Sequence, residues 1–183
     1  MKTYKLYRRQ RLNVDMATAW NFFSDPNNLD ELTPKNMGFK ILSDEPIAGM
    51  YEGQTIQYKV APILKIPLTW HTKITNVDEP RSFTDQQMRG PYKLWRHKHT
   101  FQDMGDHVIM IDELEYAIGY GVIGDIAYKL YVRNRLEEIF DYRYERTEEI
   151  FNQKDSIIDI NESAFNEAPP TRPPSTSVFA KIS

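Results

Sequence analysis

Trp95-Arg96-His97-Lys98-His99-Thr100-Phe101, then Gln102-Asp103-Met104-Gly105-Asp106-His107, then Val108-Ile109-Met110-Ile111-Asp112-Glu113-Leu114-Glu115-Tyr116, reads as two strands joined by a tight turn. Alternation puts Trp95, His97, His99 and Phe101 on one face of the first strand. Val108, Met110, Asp112, Leu114 and Tyr116 share a face of the second. A turn at Asp103 to Asp106 sets a register in which Phe101 faces Val108, His99 faces Met110 and His97 faces Asp112. An apolar sheet face carrying two imidazoles and a carboxylate is costly to pack solid. It suits the lining of a cavity with a few polar spots.

Working outward, strands are expected at residues 39–43, 55–60, 68–77, 82–88, 93–102 and 107–118, separated by turn residues such as Glu79-Pro80 and Gly90-Pro91. Their inner face would present Ile56, Tyr58 and Val60, then Leu68, Trp70, Thr72 and Ile74, then Phe83, Asp85 and Gln87. Upstream, Tyr4 to Leu12 reads as a first strand, and its run Arg8-Arg9-Gln10-Arg11 as a solvated face. Asp15 caps a short helix with Met16, Ala19, Trp20 and Phe23 on one side. Asp25-Pro26 opens a second short helix that ends by Thr33-Pro34. A long helix spans residues 122–151. Its apolar positions Ile123, Ile126, Ala127 and Leu130 lie nearly opposite Val132, Leu136, Ile139 and Phe140, so it must bend near Tyr131–Arg133 or pack on two partners. Residues 152–183 are polar and Pro-rich and read as a disordered tail to a single domain of residues 1–151. The fold class is α+β: an antiparallel sheet of about seven strands with a helix laid across one face.

Composition excludes several function classes. The chain of 183 residues has a net charge of -3, which gives no electrostatic basis for binding nucleic acid. It contains no cysteine, so disulfides, thiolate metal sites and a cysteine nucleophile are excluded. No apolar run approaches spanning length, so membrane insertion is not expected, and a cytoplasmic protein is.

Buried polar groups must pair, meet water or touch a ligand. The cluster of Tyr58, Thr72, Asp85, Gln87, His97, His99, Asp112 and Tyr116 therefore admits four readings. It is a self-satisfied network, a pocket orienting a mostly apolar small molecule, a His97–Asp112 general acid/base pair, or a metal triad of two histidines and a carboxylate. The pocket reading is preferred, with Ile56, Tyr58, Trp70 and Trp95 on the apolar body of a ligand; no metal and no cofactor are assigned. Gly119-Tyr120-Gly121-Val122-Ile123-Gly124 spells a dinucleotide fingerprint, but no second parallel strand follows it. Hairpin connectivity gathers loops 61–67, 88–92 and 117–123 at one apolar end, an entrance to the pocket or a surface for a protein partner.

The phrases Ala19-Trp20-Asn21-Phe22-Phe23-Ser24-Asp25-Pro26, Leu68-Thr69-Trp70, Gly90-Pro91-Tyr92, the Trp95–Phe101 alternation and Ile139-Phe140-Asp141-Tyr142-Arg143 resemble the START-like, or SRPBCC, superfamily of helix-grip proteins. The likeness covers residues 4–151 and is nearest to a bacterial branch of ligand-binding or polyketide cyclase/dehydrase-like proteins. It implies a curved antiparallel sheet gripping a long C-terminal helix, with a hydrophobic cavity between them. Lipids, polyketides and quinones are the ligands implied, with a cyclase or dehydratase as the enzymatic alternative.

Overall fold

The computed structural model describes residues 2–42, 49–61, 66–119 and 131–152, and the backbone course of 178–182. The first strand, β1 (Thr3–Leu12), alternates strictly, and its inward residues Tyr4, Leu6, Arg8, Gln10 and Leu12 are all buried. This corrects the reading of Arg8-Arg9-Gln10-Arg11 as a solvated face. Only Arg9 and Arg11 point to water, because the period of two overrides the run of like charge. Arg8 can lie inside because its Nη2 reaches Asp141 Oδ1 at 3.0 Å. Gln10 Nε2 likewise donates to Tyr144 O at 3.0 Å and to Glu148 Oε1 at 2.8 Å.

Asp15 caps α1 (Met16–Phe23) as expected, accepting a hydrogen bond from Thr18 N at 2.7 Å, and Ala19, Trp20 and Phe23 are buried. The expected second helix is instead a 3-10 turn at Pro26–Leu29, followed by another at Lys35–Met37. Side chains compete for the backbone there. Asn28 Nδ2 donates to Phe22 O, and Thr33 Oγ1 to Leu29 O. Glu31 in the same segment holds Arg146 of the long helix at 2.6 Å.

The strands β2 (Lys40–Ile41), β3 (Thr55–Val60), β4 (Leu68–Asp78), β5 (Ser82–Arg89), β6 (Leu94–Asp103) and β7 (Val108–Ala117) follow in chain order. The sheet runs β2-β3-β4-β5-β6-β7-β1 and ends on β8 (Val178–Ile182), with every pairing antiparallel. β8 pairs Thr3 with Ile182 and Tyr7 with Val178, so this part of the tail joins the sheet, contrary to the expectation of a disordered segment.

The β6–β7 register differs from the expected one by two residues: Phe101 faces Met110, His99 faces Asp112 and His97 faces Leu114. The turn is longer than assumed, closing Asp103 on Val108 with Met104 N bonded to His107 O. Gly105 sits at φ 91°, where a side chain would be strained, and its N–H is held by Asp103 Oδ1. A slip of two keeps every side chain on its face and changes only its partner.

The long helix is described as α2 (Arg133–Phe151), with Leu136, Phe140, Thr147 and Phe151 forming its buried stripe. Tyr131 and Val132 lie in a wider π-helical turn, within the stretch where the apolar stripe of the sequence changes sides. Ile123, Ile126, Ala127 and Leu130 lie outside the described residues, as do Gly121 and Gly124 of the glycine motif. Among the described residues no helix is long and apolar enough to cross a membrane.

Helix and sheet meet through two apolar clusters. One gathers Trp20, Phe23, Phe83, Phe101, Met110 and Phe151. The other gathers Tyr4, Leu6, Leu114, Tyr116, Leu136 and Phe140. Between these cores the sheet carries a polar band. Leu136 is 1 % exposed at the helix–sheet junction. Leu136→Ala is expected to cost about 2–5 kcal/mol in urea unfolding, whereas Met104→Ala at the exposed turn should stay within about 0.5 kcal/mol.

Candidate ligand-binding site

Sheet, α2 and the segment between Phe22 and Phe39 line a half-open cavity of about 160 Å³. Its aromatic wall is built in sequence across the sheet. Tyr58 stacks on Trp70 with ring centroids 6.0 Å apart, Trp70 meets Trp95 edge-on at 5.1 Å, and Trp95 lies 4.8 Å from Tyr92. Of the residues expected to face a ligand, Ile56, Tyr58, Trp70, Thr72, Asp85, Trp95, His97 and His99 border this cavity. Gln87, Asp112 and Tyr116 do not. Gln87 clamps the β5–β6 turn, its Nε2 donating to Tyr92 O at 2.7 Å while its Oε1 accepts from Tyr92 N at 3.3 Å. That clamp turns Tyr92 inward, where it is 7 % exposed. Tyr116 packs beneath Tyr92 and Trp95, and Asp112 lies behind the imidazoles.

The polar cluster follows from the register. Asp85 faces His97 directly, and one cross-strand row runs Phe83, His99, Asp112, Arg8. The four groups therefore form a closed ring on three neighbouring strands. Asp85 Oδ2 lies 3.4 Å from His97 Nδ1 and 3.2 Å from His99 Nε2. Asp112 Oδ1 lies 3.2 Å from His97 Nε2 and 2.7 Å from His99 Nδ1. Trp95 Nε1 donates to the other Asp85 oxygen at 3.2 Å. Arg143 Nε stands 3.6 Å from Asp112 Oδ2. The expected His97–Asp112 contact therefore exists, on the diagonal rather than straight across, and Asp85 closes the ring from the other side.

Burial raises the Asp112 carboxyl, yet the Arg143 guanidinium and the His99 and His97 rings outweigh it and hold the group well below the usual carboxylate range. Asp85 is raised by burial too, but hydrogen bonding to His97 and His99 brings it below its ordinary value. Burial alone would lower His97. Its contacts with Asp112 and Asp85 win and push it up to about 9. Burial pushes the Tyr58 phenol up, so it remains a neutral donor to, or acceptor from, Thr72 Oγ1 at 3.2 Å. Asp85, His97 and His99 also offer one ligand atom each within 4.8 Å of one another, the set among the described residues that could hold a metal ion.

Sequence reasoning missed Arg143, although it lies on the stripe of Leu136 and Phe140 and its guanidinium also covers the Phe23 ring at 5.7 Å. It also missed the Phe22–Phe39 segment, whose Pro26, Leu29 and Met37 border the cavity without any periodic pattern. Of the apolar loop end, Ile66 and Met88 are exposed. Ile63, Leu64, Tyr120, Val122 and Ile123 lie outside the described residues.

Among solved structures, major latex-like protein 151 of Panax ginseng is similar at 14 % identity, with 82 % of this chain and 99 % of that one covered and a TM-score of 0.60. A START superfamily protein from Mycobacterium smegmatis matches at 15 % identity, with 78 % and 98 % covered and a TM-score of 0.56. The fold is the helix-grip fold. Norcoclaurine synthase from Thalictrum flavum, solved with dopamine and hydroxybenzaldehyde, shares this helix-grip architecture at 17 % identity, with 81 % and 88 % covered and a TM-score of 0.55. No family model matches the chain, and no curated protein matches it.

A histidine whose folded-state pKa is raised stabilises the fold fully below its unfolded value of about 6.5, and the contribution is lost as pH rises through the folded value. With His97 pushed up to about 9, stability should fall as pH rises from about 6.5 through 9. Thermal unfolding across that range in chelator-containing buffer measures it, and His97→Gln should flatten the dependence.

Proposed function

We propose that this protein binds a small aromatic molecule carrying a polar substituent, with the ring between α2 and the Tyr58–Trp70–Trp95 wall. The observation that carries this reading is an aromatic cavity with one polar corner, where Asp85, His97 and the Tyr58–Thr72 pair converge. The volume decides the size of guest. About 160 Å³ is close to the ~150 Å³ cavity that accepts a benzene ring, and well short of the ~300–1,000 Å³ usual for drug-sized ligands. A ring, or the ring end of a quinone-, polyketide- or lipid-like molecule, fits within it, and a longer guest would extend through the open side. Dopamine and hydroxybenzaldehyde in the norcoclaurine synthase structure are each single rings with polar substituents, which supports the same class.

Native mass spectrometry of the purified protein should show a co-purifying guest. Calorimetric titration should show p-cresol binding more tightly than toluene, because only the phenol engages the polar corner. Ile56→Phe, which adds bulk at the cavity lining, should weaken p-cresol by at least about tenfold while the far-UV circular dichroism spectrum is retained. Binding unaffected by Ile56→Phe would place the guest elsewhere.

One observation favours a second reading, a cyclase or dehydratase. His97 borders the cavity between Asp85 and Asp112, whose carboxylates raise its pKa and favour the protonated ring, which suits a general acid. In that case His97→Gln should abolish turnover of a bound guest while leaving its dissociation constant within about twofold. Equal loss of both would assign His97 to binding alone.

A further inference from the structure

Three side chains of the polar ring meet at one point on the cavity wall, and every one of them is supported from behind. We propose that Asp85, His97 and His99 form a mononuclear site for a divalent first-row transition metal ion, with its remaining coordination positions open to the cavity. The inference does not depend on which organic guest the cavity takes.

Spacing is the first argument. Ligand atoms about 2.1 Å from a common ion lie about 3.0–3.4 Å from one another in octahedral or tetrahedral geometry. Asp85 Oδ2 stands 3.4 Å from His97 Nδ1 and 3.2 Å from His99 Nε2, and the three side chains offer ligand atoms within 4.8 Å of one another, so a modest closing of the two rings completes the site. The second argument is the division of labour within each imidazole. One nitrogen of each ring faces Asp85, while the other, His97 Nε2 or His99 Nδ1, faces Asp112 Oδ1. A ligating histidine needs such an acceptor on its far nitrogen to fix its tautomer. Here one carboxylate serves both rings, and Arg143 steadies that carboxylate. The Asp85 ligand is supported as well, because Trp95 Nε1 occupies Oδ1 and leaves Oδ2 for the ion.

The third argument is shelter and donor type. His97 and His99 are 5 % and 3 % exposed, so both ligating rings are shielded from bulk water. Two imidazoles with one carboxylate suit zinc, iron or cobalt rather than magnesium or calcium, which take oxygen donors.

The full chain, stripped with EDTA and dialysed, is titrated with cobalt chloride while visible absorption is followed. Ligand-field bands saturating at one ion per chain are expected, with zinc displacing them. Asp85→Asn and His99→Gln should abolish saturation at one equivalent. Asp112→Asn, which alters the supporting acceptor alone, should weaken binding about 10- to 100-fold without changing the stoichiometry. His107→Ala, at the exposed turn where His107 meets Asp106, should change nothing. Proton NMR of the cobalt-loaded wild-type protein covers the case in which a variant fails to fold, because both ligating rings should give hyperfine-shifted exchangeable N–H signals. Absence of a saturable band, absence of those signals, or a band that survives in the His97→Gln/His99→Gln double variant would overturn the proposal.

Discussion

A carboxylate only 2 % exposed, set within a β-sheet, is the constraint around which this molecule is organised. Removing an ionised group from water costs several kcal/mol, and Asp112 recovers it from three sides. His99 faces it across β6, His97 reaches it along the diagonal, and Arg143 descends on it from α2. Arg8, its partner across β1, is held off by Asp141 on the helix. Each of these groups has to point inward to meet that need. The sheet therefore cannot close on α2 as one continuous apolar core.

The two apolar clusters take up that geometry. One packs α1 and the end of α2 against Phe83, Phe101 and Met110, and the other packs the start of α2 against Leu6, Leu114 and Tyr116. They hold helix and sheet apart by the thickness of the polar band. The cavity lies beside that band, where aromatic residues on β3, β4 and β6 brace one another, Tyr58 stacked on Trp70 and Trp70 edge-on to Trp95. A guest and a metal ion would therefore share one wall, the ion resting on polar side chains and the guest on rings.

Strand alternation was legible in the sequence wherever one face is buried, which is why the inner residues of β3 to β7 could be named in advance. Pairing was less legible. Loop length decided the register of β6 against β7, and Gly105 at positive φ lengthened a turn that reads as a tighter one. Because the slip was even, His97 and Asp112 still meet, but Asp112 gained His99 as its opposite number, and the part of Asp85 in the ring went unseen. In β1 the same alternation was present, yet the run of arginines drew attention away from Arg8 and Gln10 as inward residues. Long-range partners are the least legible, Asp141 lying 133 residues from Arg8 and Arg143 on a different element from Asp112. Only the folded chain brings them together.

Gly90 shows how narrow the tolerance is at the cavity's aromatic wall. A Cβ there would run into the Gln87 amide, its Oε1 foremost. That amide is the double fastening for the backbone of Tyr92. A single methyl group at this turn would push that amide aside, so a residue with no chemistry of its own sets how the Tyr92 backbone is fastened beside the chamber.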